Sequence, residues 1–316
     1  MEYRRVGRTG LQASLVGLGT GGPSQLGQKS GVSETEAHRV VRRALDLGVN
    51  LIDTAANYGE SEAILGRALT GVPREDYVLC TKFSPATRTD DGWQFRTADD
   101  LVDSCERSLA HLRTDYIDVF QVHGVVPDTW PHVRDILVPA MRRLQEQGKV
   151  RFLGLTESFA TDHQHKALRL ALADDLFDTL LVGYNLLTPG PEADVFPQAQ
   201  KQDVGIMIMC AVRRKIARRE DLEGLIGELK RRGELPASVP SQRLLDWLIH
   251  GDVTSITDAA YKFAAGHPAV ASVLTGTASQ AHLEQNIAAI LGEPLAAEDR
   301  RKLHALFGSI GRKLGD

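Results

Sequence analysis

The sequence predicts a single closed parallel (β/α)8 barrel spanning residues 1–316, with an N-terminal hairpin and a helical insertion after the seventh strand. Three observations lead to this class. Short apolar runs alternate with longer amphipathic segments, and eight strands in that rhythm close a barrel more readily than they spread into an open doubly wound sheet. No Pro/Gly/Ser-rich linker divides the chain. With 42% hydrophobic and 25% charged residues, the composition is that of a globular protein able to bury one large core.

The elements follow in order. Residues 2–12 read as a hairpin turning at Thr9-Gly10. Residues 14–19 (SLVGLG) are the first barrel strand, and 33–48 form a helix, with Ser33 and Glu36 at capping-box spacing and Gly48 as its stop. Residues 50–54 (NLIDT) are the second strand, 61–69 a short helix, and 77–82 (YVLCTK) the third strand. A helix over 97–112 places Leu101, Cys105, Leu109 and Leu112 on one face. Residues 116–123 (YIDVFQVH) are the fourth strand, and 131–148 a helix that opens on proline and ends on glycine. The fifth strand is 151–156, followed by a helix over 163–174. Strands six, seven and eight are 178–185, 205–210 and 270–276, and the last leads into a helix over 279–292. Residues 212–250 exceed a simple βα connection. They read as a solvated helical excursion carrying basic clusters around Arg213, Arg218 and Arg231.

The bulk numbers exclude several classes. A net charge of -4 and a pI near 6.2 give no reason to expect nucleic-acid or membrane partners. The opening MEYRRVGRTG lacks the apolar core of a signal peptide, and no stretch approaches the roughly 18 apolar residues of a membrane span. Cys80, Cys105 and Cys210 are three in number and widely spaced, which fits neither a disulfide framework nor a metal site and points to the cytoplasm. The sequence leaves the oligomeric state open.

In a barrel of this kind the chemistry gathers at the C-terminal ends of the strands. Asp53 ends strand two, Tyr58 follows in its loop, Lys82 ends strand three and His123 ends strand four. Each alone has an ordinary explanation: a turn cap, a packed ring, an ion pair, a rim histidine. On consecutive strand ends they converge in one cleft. A phenol with an unperturbed pKa near ~10 donates a proton poorly. An adjacent ammonium favours the phenolate, a carboxylate keeps the ammonium charged, and an imidazole can bond a carbonyl oxygen. The set suits an oxygen that gains negative charge as hydride adds to a carbonyl. With one histidine and one carboxylate available as ligands, it does not suit a metal.

At these residues the sequence resembles the aldo-keto reductases, from about Arg5 to Leu291. NLIDTAANYGESEAILGRAL, VLCTK, IDVFQVHG and QGKVRFLGLT match four ordered motifs of that family. The resemblance implies a TIM barrel and NAD(P)H-dependent carbonyl reduction of an aldehyde, ketone or sugar-like substrate. It also implies Tyr58 as general acid, Lys82 and Asp53 tuning it, and His123 orienting the carbonyl.

It implies a cofactor site as well, with departures. GLGTGG (17–22) satisfies a dinucleotide fingerprint literally, but no helix opens there and no acidic ribose residue follows. It reads instead as the loop after strand one, with Gly19 and Thr20 bordering the cofactor. Thr156-Glu157 stands where the family has Ser-Asn against the nicotinamide amide, Leu181 where it has glutamine, and Met209, followed by Cys210, where an aromatic ring often stacks. Gly276, Thr277 and Ser279 suit a phosphate at a helix N-terminus, while Gln280 and Asn286 match positions that meet the ribose and adenine. His282 replaces the arginine that many members place on the 2′-phosphate. NADP(H) is favoured over NAD(H), with Arg213 or Arg214 supplying the missing charge. The alternative reading is a non-catalytic nucleotide-binding or regulatory protein on the same fold, and a metal-dependent hydrolase is a distant third. Trp93, Phe95 and Trp130 are the expected walls of the substrate pocket.

Overall fold

In the computed structural model, which describes residues 1–22, 24–310 and 314, all eight apolar runs are strands of one closed sheet. The strands are β1 (Tyr3–Arg5), β2 (Gln12–Ser14), β3 (Val16–Gly19), β4 (Leu51–Asp53), β5 (Val78–Phe83), β6 (Ala86–Thr89), β7 (Gly92–Phe95), β8 (Ile117–Val125), β9 (Val150–Glu157), β10 (Thr179–Gly183), β11 (Gly205–Met209) and β12 (Val270–Thr275). The barrel runs β3-β4-β5-β8-β9-β10-β11-β12 and closes by parallel pairing of β12 with β3. This is the (β/α)8 order expected from the sequence.

The two-residue period of a strand sorts the side chains. Leu51, Val78, Cys80, Val119, Leu181 and Met207 pack together with Val6 and Ala13 of the hairpin, which fills the barrel floor. Their alternates, among them Leu18, Ile52, Leu79, Phe120, Leu153, Leu180 and Ile208, pack outward against the helices. Continued to the C-terminal rim, the same alternation delivers Asp53, Lys82, Gln121, His123 and Thr156 on the first set. The hairpin itself turns through a short 3-10 helix, Gly7–Thr9, with Gly10 left-handed behind it. It therefore needs a longer connection than a Thr9-Gly10 turn. Gly7 is obligatory there, because a Cβ would lie 2.3 Å from Gly205 N.

Most helices start where expected. Ser33 and Glu36 form a capping box on helix Glu34–Asp46, and Thr97 with Asp100 does the same for Ala98–Leu112. The helix expected over 131–148 is broken. A single turn at Trp130–His132 passes into a π-helical segment, Val133–Leu137, before α-helix resumes at Val138–Glu146. Pro139 explains the break: it has no N–H for the fourth residue back and its ring crowds that carbonyl, so a wider turn precedes it. The helix expected from 163 begins at Lys166, because the Asp162 carboxylate takes the Lys166 and Ala167 amides while His165 sits left-handed at φ 55°.

The insertion is helical in its first half, as Arg214–Ala217 and Arg219–Arg231, the second of which buries Leu222, Leu225, Ile226 and Leu229, while residues 232–250 are turns with one short 3-10 helix at Asp246–Leu248. Its basic residues mostly find local acids: Arg214 pairs with Asp221, Arg219 with Asp246 and Arg232 with Glu228. The antiparallel β6–β7 hairpin, turning at Asp90–Asp91–Gly92 in the loop after β5, lay outside the sequence expectation. Among the described residues no helix is long and apolar enough to cross a membrane.

Candidate active site

Asp53 and Lys82 come from adjacent strands and are almost fully buried, at 3% and 1% exposure. The Lys82 ammonium makes a short ion pair with Asp53 Oδ1 and donates a hydrogen bond to the Thr54 carbonyl at 2.7 Å. Gln121 Nε2 donates to the other oxygen, Oδ2, at 2.9 Å. Burial pushes the Asp53 carboxyl up, and Lys82 and Gln121 oppose that push. Burial is the largest single influence on Lys82 and lowers it, but the Asp53 carboxylate, with smaller help from Tyr58 and Cys80, more than offsets it and holds the ammonium above its ordinary value. Two buried charges so placed depend on each other, since removing either strands its partner at a cost of about 3–5 kcal/mol.

Tyr58 projects from the loop after β4. Its hydroxyl lies 3.4 Å from His123 Nε2, and its ring centroid lies 5.3 Å from Lys82 Nζ. The Gly21 backbone runs against this ring, so that a Cβ there would lie 2.6 Å from Tyr58 Cζ. The nearby ammonium does lower the phenol, as expected, but burial is the larger effect and the hydroxyl ends above its ordinary value. Tyr58 is therefore a protonated phenol. Burial and the Lys82 charge together drive His123 down to about 3, so its imidazole is neutral. Its Nδ1 is buried with no partner among the described residues. A bare lone pair costs less there than a bare N–H, which puts the proton on Nε2, facing Tyr58.

The remaining expected residues divide. Thr156 is buried on the same face, its hydroxyl donating to Gln121 Oε1 at 3.0 Å. Gly19 pairs in register with Asp53, and the Thr20 amide donates to the Asp53 carbonyl at 2.9 Å. Met209 ends β11, and Cys210 follows at φ 63° with Arg213 Nη1 3.2 Å from its sulfur. Burial pushes the Cys210 thiol up.

Glu157 does not join the group. Alternation turns it toward the helices, where His165 Nδ1 donates to Oε2 at 2.8 Å and the Gly183 amide to Oε1 at 2.7 Å. Arg214 is exposed and held by Asp221. Trp130 is 3% exposed, bonded through Nε1 to Asp174 and packed beside Phe177, so it is a helix-packing residue rather than a pocket wall. Trp93 and Phe95 stand on the β6–β7 hairpin, where Arg88 covers Trp93 and His132 lies on Phe95. Gln121 was missed by the sequence reading. It sits two residues before His123, on the same face of β8, and that spacing is the signal that would have found it.

A buried carboxylate–ammonium pair, a protonated phenol and a neutral imidazole in one barrel mouth define an oxidoreductase-type site. Among the described residues no group of three His, Cys, Asp or Glu side chains is placed to hold a metal. The family model described as "Aldo/keto reductase family" matches residues 16–306, and the chain belongs to that family of oxidoreductases. L-galactose dehydrogenase of Arabidopsis thaliana is 30% identical over 301 residues, covering 92% of this chain and 88% of that protein. The holo form of aldo-keto reductase AKR11C1 from Bacillus halodurans superposes with a TM-score of 0.72 at 26% identity, over 97% of this chain and 96% of that one. An aldo/keto reductase from Klebsiella pneumoniae, solved with NADP and acetate, shares the fold with a TM-score of 0.67 at 24% identity, over 99% and 98% of the two chains.

The donors present fit a dinucleotide. Ser279 caps helix Gln280–Leu291, its hydroxyl accepting from the His282 amide, and its own amide donates to Thr277 Oγ1. Gln280 and His282 are exposed in the first turn of that helix, and Gly276 is exposed in the loop that precedes it. Asn286 Nδ2 donates to Thr275 Oγ1 at 2.7 Å, and Thr275 is linked in turn to Tyr261. At the other end, buried Thr20 Oγ1 and Thr54 Oγ1 have no partner among the described residues.

Proposed function

We propose that this protein reduces an aldehyde, ketone or sugar-like carbonyl to an alcohol, or runs the reverse oxidation, with NADP(H) favoured as cofactor and NAD(H) also accommodated. The observation that carries this reading is the Tyr58–His123 contact set directly over the Lys82–Asp53 pair. The name of the Arabidopsis relative, an L-galactose dehydrogenase, supports the sugar-like end of the range.

Thr156, Met209 and Cys210 would border the nicotinamide, and Gly276, Thr277, Ser279 and Gln280 the phosphates, with His282, Asn286 and Arg213 toward the adenosine end. The bound dinucleotide supplies or accepts the hydride. His123 Nε2–H and the Tyr58 hydroxyl together hold the substrate oxygen. As negative charge builds on that oxygen, Tyr58 releases its proton to it, and the Lys82 ammonium stabilises the phenolate left behind. Asp53 keeps Lys82 charged while excluded from water, a role that needs burial and a fixed counter-ion rather than contact with substrate.

The test is NADPH oxidation with a reactive aromatic aldehyde, in wild type and Tyr58→Phe. Loss of turnover by about 10²–10⁴-fold, with cofactor binding intact, is the expected result for removal of a general acid. Calorimetric titration with NADPH and NADH fixes the cofactor. Tight binding without turnover across a wide carbonyl panel would instead select the non-catalytic reading.

A further inference from the structure

We propose that Gln121 is a positioning residue that sets the hydrogen-bond polarity of Thr156, making the Thr156 hydroxyl an acceptor-only group toward the cofactor's carboxamide. The proposal rests on the nicotinamide reading above and goes beyond it by assigning what Thr156 can and cannot recognise.

The argument is a chain of forced orientations. Asp53 is ion-paired with the Lys82 ammonium, and a carboxylate so paired accepts only. Lys82 serves one of its oxygens, and Gln121 Nε2 serves the other at 2.9 Å. Gln121 must therefore turn its NH2 toward Asp53, which turns its carbonyl toward Thr156. The Thr156 hydroxyl has one proton, and it is given to Gln121 Oε1 at 3.0 Å. Only lone pairs remain on Thr156 Oγ1. A neighbouring amide is recognised there through its NH2 and not through its carbonyl.

The fold is built around this glutamine. Gln121 is wholly buried and pairs in register with Gly154 on β9. A Cβ on Gly154 would lie 2.7 Å from Gln121 Cγ, so the absent side chain of one residue is the space of the other. Lys82 lies opposite Gln121 in register on β5. One amide side chain therefore couples the pair that tunes Tyr58 to the residue assigned to the carboxamide.

The test compares binding of the natural dinucleotide with its 3-acetylpyridine analogue, in which a methyl group replaces the NH2, by calorimetry. Wild type is expected to bind the analogue about tenfold more weakly, the value of one hydrogen bond. In Gln121→Met the Thr156 proton is released to turn toward the acetyl oxygen, and the ratio should fall to about threefold or less. Thr156→Val should lose the discrimination too, and it carries the same readout should Gln121→Met not fold. Equal binding of both dinucleotides by wild type overturns the proposal, as does a ratio unchanged in folded Gln121→Met or in Thr156→Val. Failure of wild type to bind either dinucleotide would overturn the functional reading itself, a result distinguishable from the others.

Discussion

Lys82 and Asp53 form a buried ion pair almost wholly shielded from water, and the Lys82 ammonium lies 5.3 Å from the centre of the Tyr58 ring. The arrangement separates two tasks. The pair holds a fixed charge in place, and in the proposed reaction Tyr58 with His123 would meet the substrate.

Lys82→Met removes the charge and leaves Asp53 stranded. The variant should lose about 3–5 kcal/mol of stability at neutral pH, measured by urea unfolding, together with turnover. Lys82→Met/Asp53→Leu, with both charges gone, should recover much of the stability and none of the turnover.

His123 provides a pH signature. Its folded pKa is depressed, so on acidification the unfolded chain takes up a proton that the folded chain refuses, and stability falls with pH. The window runs from the unfolded value near ~6.5 down to about 3 in the folded protein. Unfolding near pH 5 should therefore take up about one proton more in wild type than in His123→Asn. Equal proton uptake in the two proteins would show that His123 is not held neutral.

Glu157 should behave as a structural residue. Glu157→Gln weakens the buried hydrogen bonds from His165 and the Gly183 amide and is expected to cost about 1–3 kcal/mol, while the affinity of surviving folded protein for cofactor changes little. A large loss of affinity with unchanged stability would return Glu157 to the cofactor site.

Gly154→Ala forces a methyl group against Gln121, Thr179 and Val119, at 2.7, 2.7 and 2.9 Å. All three neighbours are fully buried side chains with little room to give way, so the strain should cost about 1–3 kcal/mol. Turnover should fall with it as Gln121 is displaced from Asp53.

Trp130→Phe gives the matching test away from the chemistry. Losing the indole bond to Asp174 should lower stability by about 1 kcal/mol and leave KM unchanged.

Much of this was legible in the chain because strands and helices declare themselves by period. The eight runs became eight strands, and Asp53, Lys82 and His123 could be placed at the rim by counting to strand ends. What escaped depended on partners remote in sequence. Glu157 looks like a neighbour of Thr156 until the strand's alternation sends it to His165, which a left-handed turn carries into reach. Trp130 looks like a pocket wall until Phe177 packs beside it and Asp174 takes its indole N–H. The direction of the Tyr58 shift was hidden for a similar reason: Lys82 is visible in the sequence, but the depth of burial that outweighs it is a property of the assembled barrel.

The seam between β12 and β3 has a further consequence for the order of assembly. Arg4 donates to the Ala265 and Val270 carbonyls, and Ser272 to the Ser14 carbonyl, across separations of 261, 266 and 258 residues. On a ribosome the first strand would emerge early and wait, its edge bare, until nearly the whole chain had been made. Contacts so distant in sequence form late and slowly. The rim on β4, β5 and β8 that carries Asp53, Lys82 and His123 is thus synthesised in the first half of the chain but becomes a closed, water-poor site only when the last strand docks.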